Sequence, residues 1–210
     1  MSAVTGDSAG KAAKATLRRE LLDARNRLTE DDAQEAAAVL AVRAAGLDEL
    51  ARARTVAAYV SVGREPGTRA LLDTLHARGT RVLLPVLLPD NDLDWGVYRG
   101  PERLVRAGRG LLEPAGERLG PEAVTGADAV LLPGLAVDGR GMRLGRGGGS
   151  YDRVLARLER ARVHPAHPAH PALIVLLYDD EVVAHVPEEP HDRPVHAAVT
   201  PRAVRRFHSA

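Results

Sequence analysis

The sequence predicts an α/β fold in which a mostly parallel sheet is built from buried strands separated by helices. Apolar runs of strand length, such as RVLLPVLL at 81–88 and ALIVLLY at 172–178, are rich in leucine and β-branched residues. Segments with apolar residues at helical spacing lie between these runs. Their alternation is typical of parallel sheets covered by helices. The expected strands cover residues 55–61, 81–88, 93–98, 129–137 and 172–178, with two shorter ones at 182–186 and 195–200.

The predicted helices follow from apolar spacing and from residues suited to helix ends. Leu17, Leu21, Ala24 and Leu28 recur at helical spacing and predict the first helix. Thr29 is followed by three acidic residues, which is the pattern of an N-cap with an acidic first turn. Four helices are expected, over residues 16–28, 31–50, 69–78 and 150–162.

Length and charge limit the possible classes of function. The chain has 210 residues, of which 45% are hydrophobic and 27% charged, an ordinary balance for a globular protein with a buried core. A net charge of +1 argues against electrostatic binding of duplex DNA. The absence of cysteine excludes disulfides, Cys-ligated zinc and thiol catalysis. No secretory signal and no long apolar run are present, so we expect a cytoplasmic protein without a membrane span.

The chain is expected to form one domain. Residues 1–13 are small and polar and are predicted to be a disordered extension, whereas 14–210 form the domain itself. Residues 100–126 contain many glycine, proline and charged residues, which predicts a loop-rich segment. Residues 164–171 repeat the triplet His-Pro-Ala, and the prolines favour an extended linker over a metal site made of its histidines.

A glycine-rich segment is the main candidate for a binding site. Residues 138–153 read DGRGMRLGRGGGSYDR, with a predicted strand before the glycines and a helix from Ser150. This order presents backbone N–H groups to an anion at a helix N-terminus. Arg140, Arg143 and Arg146 add donors suited to phosphate oxygens. The pattern is neither the Walker motif nor G-x-G-x-x-G, and the glycines alone would fit a flexible basic loop equally well.

The full segment from residue 131 to residue 153 is a more specific signal of function than its glycines alone. Residues 131–153, LLPGLAVDGRGMRLGRGGGSYDR, resemble the signature of the 5-formyltetrahydrofolate cyclo-ligase family, also called methenyltetrahydrofolate synthetases. Three further segments follow the family's order, namely 14–18 with its Lys-x-x-Leu-Arg motif, 59–68 and 186–196. The resemblance covers about residues 14–200. It implies a three-layer α/β/α sandwich with a mostly parallel sheet, like that of sugar-phosphate isomerases and CoA transferases.

The resemblance also implies a reaction. The family uses ATP to convert 5-formyltetrahydrofolate, with or without a polyglutamate tail, to 5,10-methenyltetrahydrofolate, and releases ADP and phosphate. Phosphorylation of the formyl oxygen makes it a good leaving group, so that N10 can attack the formyl carbon. Positioning and charge neutralisation supply most of the catalysis in such a reaction. The implied cofactor is Mg²⁺ and the implied partners are the folate and ATP. We expect a monomer that binds neither nucleic acid nor membrane.

Individual residues take roles from the same resemblance. ATP would be bound by Lys14, Arg18, Arg143, Leu144, Gly145, Arg146, Gly147, Gly148, Gly149, Ser150 and Tyr151, of which Arg143 and Tyr151 would be catalytic. The folate would be bound by Val60, Glu65, Arg146, Gly147, Gly148, Gly149 and Ser150. Asp152 and Asp192 would be ligands of Mg²⁺, which takes one or two carboxylates together with phosphate oxygens and water.

Two positions depart from the family pattern. Ser150 stands where an aromatic residue is common, and His196 stands where aspartate is frequent. These departures keep open a family member that binds folate or nucleotide without turnover. An RNA-binding protein is a weaker alternative, because the chain lacks an aromatic stacking platform and an excess of positive charge. Without the resemblance, Lys14 and Arg18 would be a solvated pair on one helix face, and Asp152 would serve only the helix dipole.

Overall fold

A seven-stranded sheet forms the centre of the computed structural model, which describes residues 4–162, 170–189 and 192–207. The helices are α1 (Val4–Arg27), α2 (Glu30–Ala45), α3 (Asp48–Ala51), α4 (Arg69–Ala77) and α5 (Ser150–Arg162). The strands are β1 (Thr55–Ala57), β2 (Arg81–Leu87), β3 (Leu93–Val97), β4 (Leu104–Arg106), β5 (Leu112–Pro114), β6 (Ala129–Leu132), β7 (Ala136–Val137), β8 (Arg143–Leu144), β9 (Ala172–Leu176), β10 (Ala197–Val199) and β11 (Val204–Arg206).

The sheet has the strand order β11-β10-β9-β6-β1-β2-β3. Its four inner pairs are parallel, and the edge strands β3 and β11 pair antiparallel with their neighbours. Two short hairpins, β4–β5 and β7–β8, lie outside this sheet. The predicted α/β fold with a mostly parallel sheet is therefore confirmed.

Helices cover both faces of the sheet because successive strand residues point to opposite sides. On one face, Leu40 of α2 and Leu72 of α4 pack in a buried cluster with Val56 of β1. On the other face, Val154 of α5 packs in a second buried cluster with Val130 of β6. Each fully buried leucine or valine stabilises the fold by about 1.5–3 kcal/mol. The arrangement is a three-layer α/β/α sandwich.

Helix α1 begins earlier than predicted. It starts at Val4 and runs through residues 4–13, which corrects the prediction that this segment is disordered. Three alanines, at positions 9, 12 and 13, have high helix propensity and favour extension of the helix toward its N-terminus. The predicted helix over 31–50 is also divided, because Gly46 follows the end of α2 before α3 begins. In the part of the chain described, no helix is long and apolar enough to cross a membrane.

Several predicted strands are shorter than expected. The run 129–137 breaks at Pro133 and Gly134 into β6 and β7, since proline has no N–H for a strand ladder. The strand predicted over 182–186 is wrong, because Val182 makes only an isolated bridge. The loop-rich region 100–126 contains the β4–β5 hairpin. Most of the His-Pro-Ala repeat lies outside the described residues.

Candidate functional site

A cavity of about 460 Å³ opens at the carboxyl ends of parallel strands β1 and β6. This is the edge at which open α/β sheets bind ligands, and the volume suits a small molecule. The wall is formed by the loop after β1, parts of β2 and β3, the β4–β5 hairpin, the glycine-rich loop and the start of α5. The predicted residues on the lining are Val60, Glu65, Arg143, Gly145, Arg146, Gly147, Gly148, Gly149, Ser150, Tyr151 and Asp152.

The glycine-rich loop leads from β8 into the N-terminus of α5. Gly147 and Gly149 have φ angles of 91° and 77°, which side-chain-bearing residues rarely adopt. A Cβ atom at Gly147 would also stand 3.4 Å from the guanidinium carbon of Arg18. Within the described structure, the backbone N–H groups of residues 146–149 donate no hydrogen bond to protein atoms. The loop therefore presents amide donors next to a helix N-terminus, as an anion-binding loop requires.

Arg143 brings a buried positive charge to the cavity. Its Nη1 atom donates a hydrogen bond of 2.7 Å to the carbonyl oxygen of Pro133, and its Nη2 lies 3.4 Å from Oδ1 of Asp152. Its Nε atom is buried and has no hydrogen-bond partner among the described residues. Burial lowers the pKa of Arg143, and the charge of Asp152 opposes that effect. A desolvated guanidinium that has a spare N–H and is paired with a single carboxylate at 3.4 Å is suited to bind an anionic ligand.

The tyrosines of the cavity wall are neutral. Burial raises the pKa of the Tyr151 hydroxyl, and the charge of Glu65 raises it further. Burial likewise raises the pKa of Tyr59 well above its ordinary value. The Tyr151 hydroxyl is buried without a hydrogen-bond partner in the part of the chain described. Tyr151 can therefore donate a hydrogen bond to a ligand but cannot act as a phenolate base near neutral pH.

Arg146, predicted to contact both substrates, meets Glu65, predicted to contact the folate. Nη1 of Arg146, in the glycine-rich loop, lies 3.2 Å from Oε1 of Glu65, in the loop after β1. The other Glu65 oxygen accepts a hydrogen bond of 2.9 Å from the backbone N–H of Val62, which fixes the carboxylate. Arg146 is half exposed, whereas the Glu65 side chain is only 10% exposed. The folate-associated and ATP-associated segments are thus neighbours in space.

Helix α1 supports the loop from outside the cavity. Nε of Arg18 donates a hydrogen bond of 2.9 Å to the carbonyl oxygen of Gly145. Nζ of Lys14 lies 2.5 Å from Oδ2 of Asp192 and 2.7 Å from Oε2 of Glu189. Burial opposes the charge of Lys14, but its hydrogen bonds to Asp192 and Glu189 raise its pKa above the ordinary value. The cavity lining does not include Lys14, Arg18, Leu144 or Asp192.

Only one of the two predicted magnesium ligands lies on the cavity. Asp152 is in the first turn of α5 and its side chain is 46% exposed, so its carboxylate fits a hard cation beside phosphate oxygens. Asp192 is instead held by Lys14 and by the backbone N–H of Glu189. Among the described residues, no cluster of three acidic or histidine side chains could hold a metal ion. The donor set therefore fits an ion that takes most of its ligands from substrate and water.

Arg140 does not belong to the site, contrary to the prediction for its guanidinium. Its side chain donates hydrogen bonds to Asp138 at 2.8 Å and to Glu188 at 3.1 Å. Asp138 is 1% exposed and also accepts backbone N–H bonds from residues 140, 142 and 186. Arg140 thus neutralises a buried carboxylate at the β7–β8 turn and is absent from the cavity lining.

Sequence reasoning missed a buried ion pair behind the cavity. Nε of Arg25 lies 2.6 Å from Oε1 of Glu181, and Nη2 of Arg25 donates to the carbonyl oxygen of Gly134 at 2.6 Å. Both side chains are almost fully buried. The residue spacing indicated that Arg25 faces the core, because it lies on the same face of α1 as the buried Leu21, together with Lys14 and Arg18. The partners could not be identified, since they lie more than 100 residues away.

The fold and site together define an α/β protein with a cavity and a glycine-rich loop at the carboxyl ends of its parallel strands. The 5-formyltetrahydrofolate cyclo-ligase family model matches residues 10–201. The 5-formyltetrahydrofolate cyclo-ligase of Mycolicibacterium smegmatis is 47% identical over 154 residues, 71% of this chain and 74% of that protein. The Escherichia coli K12 protein of the same name is 32% identical over 182 residues, 86% of this chain and 96% of that one.

A comparison with solved structures indicates the same family as the sequence relatives. The 5,10-methenyltetrahydrofolate synthetase of Aquifex aeolicus superposes with a TM-score of 0.76 at 27% identity, and 94% of each chain is covered. The chain belongs to the 5-formyltetrahydrofolate cyclo-ligase family. The family resemblance inferred from the glycine-rich string is therefore confirmed.

Proposed function

We propose that this chain catalyses the ATP-dependent cyclisation of 5-formyltetrahydrofolate to 5,10-methenyltetrahydrofolate, with release of ADP and phosphate. The observation that carries the proposal is that every residue expected at the folate and most of those expected at ATP line one cavity. Arg146, expected at both substrates, contacts the folate residue Glu65. A single cavity allows the γ-phosphate and the formyl oxygen to meet, which phosphoryl transfer requires.

The first chemical step forms a bond between the formyl oxygen and the γ-phosphorus and breaks the bond from that phosphorus to ADP. The amides of residues 146–149 and the guanidinium of Arg143 would bind phosphate oxygens and offset their negative charge. The neutral hydroxyl of Tyr151 would donate a hydrogen bond to an oxygen of the transferring group. Arg143 and Tyr151 are the catalytic residues of the proposal because both line the cavity and each has a buried donor without a partner among the described residues.

The second step closes the ring. N10 of the folate attacks the activated formyl carbon, the carbon–oxygen bond to phosphate breaks, and the proton of N10 is lost. Glu65, fixed by the N–H of Val62, would hold the pterin by hydrogen bonds, with Val60 and residues 146–150 beside it. The aliphatic side of the cavity would limit the access of water to the activated intermediate, which hydrolysis would return to the starting folate.

Mg²⁺ would be held by Asp152 together with phosphate oxygens and water, and when bound it would neutralise phosphate charge. For Lys14 to reach a phosphate and for Asp192 to act as a ligand, the ion pair between them must open. Each would then exchange its present partner for one supplied by the nucleotide complex. We further propose that the enzyme acts as a cytoplasmic monomer.

The test is an absorbance assay for the methenyl product with purified protein, 5-formyltetrahydrofolate, ATP and Mg²⁺. We expect product formation that needs all three additions and that stops when a chelator removes the metal. Folded protein that binds ATP but forms no product above a no-enzyme control would refute turnover. It would support the alternative of a family member that only binds its ligands.

A further inference from the structure

Three arginines line the cavity in the described part of the chain, and one of them, Arg109, is not used by the proposed reaction. Arg143 and Arg146 lie close to carboxylates of Asp152 and Glu65. Arg109, at the tip of the β4–β5 hairpin, lies within 4 Å of no carboxylate among the described residues. Within the described residues its guanidinium donates one hydrogen bond, of 3.1 Å, to the neutral amide oxygen of Asn91. The positive charge of Arg109 is therefore exposed at the cavity and is not neutralised by a carboxylate of the described chain.

The backbone at the hairpin tip is unusual for an arginine. Arg109 has φ 59° and ψ 23°, in the left-handed region, between Gly108 and Gly110. Glycine or asparagine is the relaxed choice for such a position, and the hydrogen-bond partner Asn91 also has a positive φ, of 65°. The turn itself does not call for an arginine. What Arg109 adds is a long cationic side chain at the cavity.

The β4–β5 hairpin is held in place by contacts with β2 and β3. Oε1 of Glu113 accepts a hydrogen bond of 3.0 Å from the backbone N–H of Leu87 in β2. Pro114 packs closely against Gly96 of β3. These contacts place Leu111 and Leu112 of the hairpin on the cavity wall with Leu87. The arginine is thus held beside an aliphatic surface that belongs to different elements from the glycine-rich loop.

A cation beside an aliphatic wall matches one part of a folate. The substrate has a polar pterin, a flat aminobenzoyl ring and a glutamate that carries two carboxylates. The ring fits the leucine surface, and a carboxylate that emerges beside it meets the guanidinium. We propose that Arg109 binds a carboxylate of the glutamate tail of the folate substrate, an assignment that rests on the proposed function. Arg109 is then a specificity-determining residue and takes no part in the chemical steps.

The test compares 5-formyltetrahydrofolate with the methylamide of 5-formyltetrahydropteroate, which lacks the glutamate and carries no carboxylate. For Arg109→Ala we expect the KM of the glutamate-bearing substrate to rise by about two- to fivefold, the range for one exposed ion pair. The KM of the pteroate methylamide, the KM of ATP and the kcat should stay at wild-type values. The KM of the wild type for the folate should rise with ionic strength more steeply than that of the variant, because salt screens an exposed ion pair.

The matched control is Arg106→Ala, which removes an exposed arginine of the same hairpin that does not line the cavity. It should leave every constant unchanged. Equal KM changes for the two substrates, no change for either, or the same change in Arg106→Ala would overturn the role of Arg109. If the wild-type protein turns over neither substrate, the proposed function itself fails, which is a distinguishable result.

Discussion

Substitution of Asp152 by asparagine tests whether this residue binds Mg²⁺ or only interacts favourably with the dipole of α5. The side chain is 46% exposed in the first turn of α5, and its only ion pair within the described chain is the 3.4 Å contact with Arg143. Loss of the favourable helix-end charge costs about 0.3–1 kcal/mol. A long, partly exposed ion pair adds at most about 1 kcal/mol. Together these predict a fall in Tm of about 8 °C at most.

Activity should respond far more strongly than stability. If the carboxylate binds Mg²⁺, the amide loses a charge-assisted contact worth about 1.5–3 kcal/mol, so turnover at limiting Mg²⁺ should fall by about tenfold or more. A higher Mg²⁺ concentration should restore part of the rate. Thermal unfolding and Mg²⁺-dependent rates are measured on one preparation. Asp90→Asn is the matched control, because it removes a 3.5 Å ion pair with Arg153 outside the cavity. Wild-type rates for Asp152→Asn at limiting Mg²⁺ would refute the metal role.

Two further substitutions probe the buried charges. Arg143→Ala should raise the KM of ATP by about 10- to 150-fold, because ATP loses charge-assisted contacts, and should change the KM of the folate little. Steady-state kinetics will show whether the effect is confined to ATP, with the exposed Arg153→Ala as the control. Asp138 loses solvation on burial, but hydrogen bonds from Arg140 and from backbone N–H groups hold its pKa below the ordinary value. The stability that it contributes is therefore full above about pH 4 and is lost as the pH falls through the folded-state pKa. Urea unfolding across acidic pH should show a shallower loss for Asp138→Asn, and identical pH profiles would contradict this.

The sheet could be predicted from the sequence because its strands are nearly continuous apolar runs. The run at 81–88 became β2 almost without change. The run at 129–137 did not stay continuous, because Pro133 has no N–H for a strand ladder. The local sequence thus contained the signal for the break, but not the hydrogen bonds that Arg143 and Arg25 donate to the carbonyl oxygens of Pro133 and Gly134.

The candidate site was predictable to the extent that it is local in sequence. Residues 145–152 follow one another along the chain and reach the cavity together. Lys14 and Asp192 were expected at ATP and Mg²⁺, but the structure pairs them with each other, 178 residues apart. Nothing in the sequence indicated that Arg109 lies on the cavity, because an arginine in a hairpin turn is usually an ordinary surface residue. Charge pairing over such separations depends on the tertiary fold.

The contacts of α1 have a consequence for the order in which the protein is built. Lys14, Arg18 and Arg25 bind partners between Gly134 and Asp192, so every such contact spans more than 100 residues. During translation α1 is made before β7 and β8, yet the helix can dock only after these and the later segments have left the ribosome. Contacts of such long sequence separation form slowly, because a large loop must close first. Until then the apolar face of α1 stays uncovered, and the glycine-rich loop lacks the support of Arg18. Assembly of an intact cavity is therefore a late event, completed when α1 docks on segments that are translated after it.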